Sequence, residues 1–384
     1  MTGAGERGAE MVHVPVLYDP AVASKDHGPV TVELERPVAG GAVLGRDADG
    51  RVVLAHGGLP GETVVVAPDR VRPTLITGSV IEVKVCSPGR VAPPCPMVAQ
   101  GCGGCDLQHA TRDLQGGLRV GVVRDALTHT GSLPRSLAES VLVEHVEESS
   151  PIASRTTMRM AVLDGGELGL RRRRSRTPVA VPGMPCRPPA VVADARGGPV
   201  PGAREVVLRA SVHTGEVLAM VAPRDRHSVV PEGVTTVGAD ELRSGSQVWI
   251  TERVEGHDLR ISPRSFFQAG PVGAAMLGRA VGRALGAFDP SEDRLVDLYG
   301  GVGLFTVLLG ARNAEVVERS VSAVADARVN TAALEAVVTR TDVGSWSPSP
   351  AAAVVADPAR EGLRAAGGGG GRGHRGAEGR PGEL

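Results

Sequence analysis

Lysine is nearly absent from this chain. Lys25 and Lys84 stand alone, so almost all of the 42 basic residues are arginine. With alanine, glycine, valine and proline abundant throughout, that bias is the codon usage of a GC-rich gene. Arginine richness by itself therefore says nothing about phosphate binding. The net charge of -1 is equally neutral on a nucleic-acid partner. No apolar run is long enough to span a bilayer, and residues 1–10 lack the charged-then-apolar order of a secretory signal. A cytoplasmic protein with no membrane contact is expected. Aromatic residues make up only 2% of the chain, so each one carries more information than usual. There are five cysteines, three of them at Cys95, Cys102 and Cys105, and none follows Cys186. In a reducing compartment such clustering excludes a disulfide framework and points to metal.

A chain of 384 residues is long enough for roughly two or three domains with real cores. Residues 1–27 show no period and read as a leader. Over 28–86, short β-branched runs alternate with turns, at 30–34, 42–44, 51–54, 62–66 and 78–85. Five strands at that spacing predict a small closed barrel. Barrels of this kind often bind RNA, but this segment has seven acidic residues against six basic ones, so a packing module is an equal reading.

The cysteine loop, over 87–110, places Cys95, Cys102 and Cys105 on a glycine-relieved stretch that Cys186 could close. Four thiolates suit zinc as well as an iron–sulfur cluster, and spacing does not choose. His109 reads as a structural histidine, and Cys86, on a strand, as a small buried residue. The middle of the chain, 111–260, has helical spacing over 111–130, then segments that alternate like antiparallel strands, such as 157–162 and 206–212. Between 155 and 176 seven arginines meet two acids, an excess suited to an RNA backbone or to a solvated face.

The most informative stretch is 297–305, Asp-Leu-Tyr-Gly-Gly-Val-Gly-Leu-Phe, which reads as a strand, a glycine turn and a helix start. Such a turn makes a cofactor pocket, because glycines let backbone approach a ligand and the helix offers free N–H groups. A dinucleotide fingerprint would need a third glycine where Thr306 stands, so nicotinamide and flavin are demoted. The form fits better with the turn that holds S-adenosylmethionine. Glu318, ending the next strand over 314–318, is placed to accept hydrogen bonds from ribose hydroxyls. The bland alternative is a structural βαβ turn. Upstream, Ser-Phe-Phe-Gln at 265–268 gathers half of the chain's phenylalanines beside an amide, to grip an adenosyl group or base or to pack between domains. A helix over 273–285 precedes the opening strand. A further helix runs to about Asn330, followed by a weak strand near 337–343 and a last strand over 352–357 that ends in Asp357.

Taken together, the barrel pattern, the Cys-Gly-Gly-Cys-Asp-Leu-Gln-His run, Ser-Phe-Phe-Gln, the glycine turn and Asp-Pro-Ala-Arg-x-Gly-Leu at 357–363 resemble the RNA uracil-5-methyltransferases that modify tRNA and 23S rRNA. The resemblance spans about 28–363. It implies an α/β plus β protein: an N-terminal TRAM (OB-like) barrel, a central α+β domain with an iron–sulfur loop, and a Rossmann-like methyltransferase domain over 261–363. It further implies a [4Fe–4S] cluster on Cys95, Cys102, Cys105 and Cys186, although six residues separate Cys95 from Cys102 where the family commonly has five. Gln268, Tyr299, Glu318 and Asp357 would line the pocket for S-adenosylmethionine and uracil. An RNA partner and a monomeric chain are expected.

The chemistry of this family starts with a thiolate adding to carbon 6 of uracil, which makes carbon 5 nucleophilic enough to take the methyl group. A base then removes the hydrogen from carbon 5. The family's nucleophilic cysteine follows the Asp-Pro-Ala-Arg segment and its glutamate base lies near the C-terminus. Here the segment 364–384 has nine glycines in 21 residues and no apolar period. A frameshifted or shortened C-terminal part is expected, so no catalytic residue is assigned and the methyltransferase sheet is expected to be incomplete, with the 352–357 strand as an open edge. The competing reading is a non-catalytic iron–sulfur RNA-binding protein with a genuine Arg-Gly tail.

Overall fold

The computed structural model describes residues 27–130, 133–143, 145, 155–173, 175–181, 200–224 and 233–359. The leader, Cys186 and the tail from 360 onward lie outside the described residues. The chain forms two compact units, Met1–Glu148 with Leu170–Met184, and Ser149–Gly169 with Pro185–Leu384.

In the first unit the expected barrel is present. Strands β1 (Val30–Val38), β2 (Ala42–Arg46), β3 (Val52–His56), β4 (Thr63–Arg72) and β5 (Leu75–Val85) close in the order β1-β2-β3-β5-β4. Period-two patterning drives closure: Val32 and Leu34 point inward while Thr31, Glu33 and Glu35 are exposed. The interior is filled by Val32, Leu34, Val53, Val64, Val66 and Ile76. A buried ion pair ties the following segment to the barrel. The Glu62 carboxylate, wholly buried, accepts from Arg90 Nε and Nη2, both at 2.6 Å, and from the backbone N–H groups of Leu59 and Ser87. Helix α1 (Arg112–Asp125) then packs Leu118 against Leu59 and Ala110, and a widened turn carries the helical path on to Thr130. A short helix α2 (Arg135–Ser140) follows.

Two strand stretches, β6 (Thr157–Val162) and β7 (Leu168–Arg171), lead to β8 (Pro178–Ala180), and the chain passes from the second unit into the first within β7. In the second unit, β9 (Glu205–Ala210) lies antiparallel between β6 and β10 (Val217–Ala222), and β10 pairs in parallel with β11 (Val234–Gly238). Every residue of β9 and β10 is buried, so these strands are covered on both faces. After the single-turn helix α3 (Ala239–Arg243), strands β12 (Ile250–Val254) and β13 (His257–Ile261) form a hairpin. Its two turn residues, Glu255 (φ 51°) and Gly256 (φ 85°), both adopt the left-handed conformation that matches the strand twist.

Helix α4 (Pro271–Leu285) leads into a parallel sheet of β14 (Leu295–Leu298), β15 (Ala314–Glu318), β16 (Val337–Arg340) and β17 (Ala353–Ala356), in the order β16-β15-β14-β17. Helices α5 (Leu304–Leu309) and α6 (Val321–Asn330) make the crossovers. The shared core joins Leu218, Ile250, Leu259, Phe267, Ala274 and Val302. Among the described residues β17 pairs only with β14, and Val354 on it is 58% exposed.

Candidate functional site

The parallel sheet presents its carboxyl ends at the glycine turn, the place where such sheets bind ligands. β14 stops at Leu298 because Tyr299 turns into the left-handed region (φ 57°), a conformation that costs a non-glycine residue about 1 kcal/mol and concentrates at functional sites. Gly303, at φ 82°, starts α5, and a Cβ there would stand 2.8 Å from Thr331 Cγ2. A side chain at Gly303 would collide with Thr331, so this position stays glycine. The Gly301 N–H donates to Glu318 Oε2 at 3.1 Å, and the other carboxylate oxygen of Glu318 accepts from Ser320 N at 2.7 Å. Glu318 is thus fixed against the turn at Gly301. Gln268 Nε2 donates to Asp357 Oδ2 at 3.4 Å. Of the four residues expected to line a pocket, Gln268 and Asp357 touch, while Tyr299 lies in the turn whose Gly301 N–H binds Glu318.

Asp297, the first residue of the turn sequence, is wholly buried. Its Oδ2 accepts from Thr306 Oγ1 at 3.1 Å, and its Oδ1 has no partner. Burial pushes its carboxyl up to about 7; the Thr306 hydrogen bonds oppose that rise, and the nearby charges of Asp357 and Glu318 add to it.

Asp326 was not legible as a functional residue in the sequence. Wholly buried on α6, it accepts from Arg260 Nε at 2.9 Å, Ser262 N at 2.8 Å, Ser262 Oγ at 2.7 Å and Ser265 Oγ at 2.5 Å. The 262–268 loop, with exposed Phe266 and buried Phe267, is therefore held by one carboxylate. Arg209 on β9 adds a second hold, donating from Nη2 to the Ser265 carbonyl at 2.7 Å. Burial lowers this guanidinium to about 10, and the field of Asp326 works against that shift, so it stays charged at neutral pH. Asn330 completes the set by donating to the carbonyls of Val302, at 2.9 Å, and Arg260, at 3.1 Å. The available signal was an acid on the buried stripe of α6, beside Ala323 and Ala327.

The arginine excess at 155–176 does not present one free face. Arg173 pairs with Asp106 and donates from Nη2 to the Cys105 carbonyl at 2.7 Å. The Gly103 N–H donates to the Arg171 carbonyl at 3.0 Å, and Cys102 bridges Arg172. The run 171–173 clamps the cysteine loop, while Arg159 pairs with Glu205 at 3.3 Å. Charge counting misses this because the clamp is largely backbone.

Cys95 and Cys102 are buried, Cys105 is half-buried, and all three are free thiols. Burial pushes the Cys102 thiol up, and the neighbouring Cys105 and Cys95 add to that. Three free thiols on one loop have the right chemistry for a soft metal centre. Among the described residues, however, no three ligands are gathered at metal-binding geometry, and Cys186 lies outside them. Cys86 is exposed, not buried as the strand pattern suggested. His109 is buried with Nε2 3.3 Å from the Gly58 carbonyl, a structural role, and burial lowers it to about 4.

No family model matches the chain. Among curated proteins, an RNA methyltransferase of Corynebacterium efficiens is 30% identical over 350 residues, covering 87% of this chain and 79% of that protein. The 23S rRNA (uracil(1939)-C(5))-methyltransferase RlmD of Halomonas elongata is also 30% identical, over 336 residues, covering 78% of this chain and 68% of RlmD. Among solved structures, the Pyrococcus abyssi tRNA (uracil-54, C5)-methyltransferase in complex with S-adenosyl-L-homocysteine matches with a TM-score of 0.63 at 21% identity, over 87% of this chain and 84% of that one. That structure shares the fold. The two relatives show that the chain belongs to the RNA methyltransferase family that includes the 23S rRNA uracil-C5 enzymes.

Proposed function

We propose that this chain binds S-adenosylmethionine at the 297–303 turn and belongs to the branch of the family that methylates carbon 5 of uracil in RNA. The observation that carries this reading is the Gly301 N–H bond to Glu318 at 3.1 Å, inside a turn in which Tyr299 and Gly303 both adopt the left-handed conformation. That bond leaves Glu318 oriented to accept a ribose diol, as a carboxylate at the end of the second strand does in such sheets. When bound, the donor supplies an electrophilic methyl group. Gln268 and Asp357, already in contact, line the acceptor side, where an amide and a carboxylate suit the edge of a flipped pyrimidine. Phe266, 70% exposed on the loop beside Gln268, offers a face on which a base stacks.

The nucleophile is missing from this reading. Addition to carbon 6 needs a thiolate, and no cysteine follows Cys186 in the 384 residues. The chain as written is therefore expected to hold donor without forming 5-methyluridine. Incubation with S-adenosylmethionine and uridine-containing RNA tests this. No product is the expected result, and measurable 5-methyluridine would contradict it.

The cysteine loop is read as the site of a [4Fe–4S] cluster held by Cys95, Cys102, Cys105 and Cys186. The three free thiols and the clamp from 171–173 support that assignment. A purified sample should be brown; a colourless, zinc-containing sample would overturn it. The barrel, read as a TRAM module, the arginine segment at 155–176 and the loop carrying Phe266 and Phe267 would contact RNA, and the protein would act as a monomer in the cytoplasm. The same lack of a nucleophile favours a second reading, a non-catalytic RNA-binding protein. Salt-sensitive RNA affinity without donor binding would distinguish it.

A further inference from the structure

Three carboxylates meet at the carboxyl ends of three adjacent parallel strands. Asp297 lies on β14, Glu318 ends β15, and Asp357 follows β17. Their hydrogen-bond partners are all neutral: Thr306 for Asp297, the Gly301 and Ser320 N–H groups for Glu318, and Gln268 for Asp357. Among the described residues none of the three forms an ion pair. Asp297 is the unusual member, because it is wholly buried and its Oδ1 has no partner. A Cβ on Gly300 would stand 3.0 Å from the Asp297 Cγ, so the carboxyl lies directly beneath the turn.

A carboxylate buried without a counter-ion, with half-buried Glu318 and exposed Asp357 as further like charges nearby, favours a cationic ligand over a neutral one of the same shape. The methyl donor and its product differ in that way. The sulfonium carries a positive charge that becomes a neutral thioether when the methyl group leaves.

We infer that Asp297 makes the pocket select the sulfonium donor over the thioether product, with donor binding coupled to release of a proton from Asp297. This rests on the donor-pocket reading above. The groups facing Asp297 are Glu318 from β15, Asp357 from the end of β17 and the neutral Thr306 from α5. In the free protein the Asp297 carboxyl titrates near neutrality, raised by burial and by those two acids. A sulfonium above the turn favours its ionised form; a thioether does not. The affinity for donor relative to product therefore rises with pH, by roughly fivefold from about pH 6 to about pH 8 for a fall of about one unit in the Asp297 midpoint on binding.

The test is calorimetric titration of the full chain with S-adenosylmethionine and with S-adenosylhomocysteine across that range, in buffers of different ionisation enthalpy. The α-amino group of each ligand also titrates, so each is compared with itself on the Asp297→Asn variant. The expected result is extra proton release on binding S-adenosylmethionine to the wild type, absent in Asp297→Asn and absent for S-adenosylhomocysteine. Asp357→Asn removes one facing charge and should move the proton-release profile to lower pH, which keeps the inference testable if Asp297→Asn does not fold. If both ligands bind with no excess proton release, the inference falls and the donor pocket stands. If neither ligand binds to folded protein, both fall.

Discussion

The buried carboxylate of Asp326 accepts the Ser265 hydroxyl at 2.5 Å, and through it helix α6 grips the loop that carries Phe266, Phe267 and Gln268. The same carboxylate holds Arg260, whose guanidinium lies 4.0 Å over the Trp249 ring. Asp326→Ala would leave Arg260 and two serine hydroxyls without their acceptor in a buried setting, which costs about 3 kcal/mol. Denaturant unfolding should show that loss. Trp249 emission should shift to the red as Arg260 leaves the ring, while Trp346, hydrogen-bonded to Glu315, stays unchanged.

In the first unit, Glu62 and Arg90 form the corresponding anchor between barrel and cysteine loop. Arg90→Leu would strand a wholly buried carboxylate that still accepts two backbone N–H groups. A loss of about 3 kcal/mol is expected, read as earlier unfolding of the barrel by hydrogen exchange at 30–38 and 63–72. Exchange there that matches the wild type would contradict the anchoring role.

His109 predicts an acid limit. Its folded value is held near 4, below the ordinary histidine value, so the unfolded chain binds the extra proton first. Its contribution is intact above the unfolded value of about 6.5 and is lost as pH falls toward 4. A His109→Asn variant should flatten that part of the pH–stability curve.

Asp297 has the opposite sign. Its folded value is raised, so the folded chain holds the proton longer, and ligand-free stability falls as pH rises from the ordinary aspartate value of about 4 through about 7. Thermal unfolding of the ligand-free protein should show this decline, and Asp297→Asn should remove it.

Strand periodicity made much of this architecture legible. The barrel strands and the turn at 297–303 follow from alternation and glycine placement, which are local properties. Asp326 was hidden because α6 buries small residues, Ala323 and Ala327, so its inward stripe does not stand out from the rest of the helix. The 171–173 clamp was hidden because its bonds are between main-chain groups far apart in sequence, 103 with 171 and 101 with 173, which charge counting cannot see.

The central claim is that the 297–303 turn and Glu318 form a donor pocket. Calorimetric titration of S-adenosylhomocysteine into the wild-type chain and Glu318→Ala tests it most directly. One-to-one binding to the wild type, weakened roughly tenfold or more in a folded Glu318→Ala variant, is the predicted result, since hydrogen bonds to a charged acceptor contribute about 1.5–3 kcal/mol. No binding to folded wild type, or equal binding to both, would contradict it.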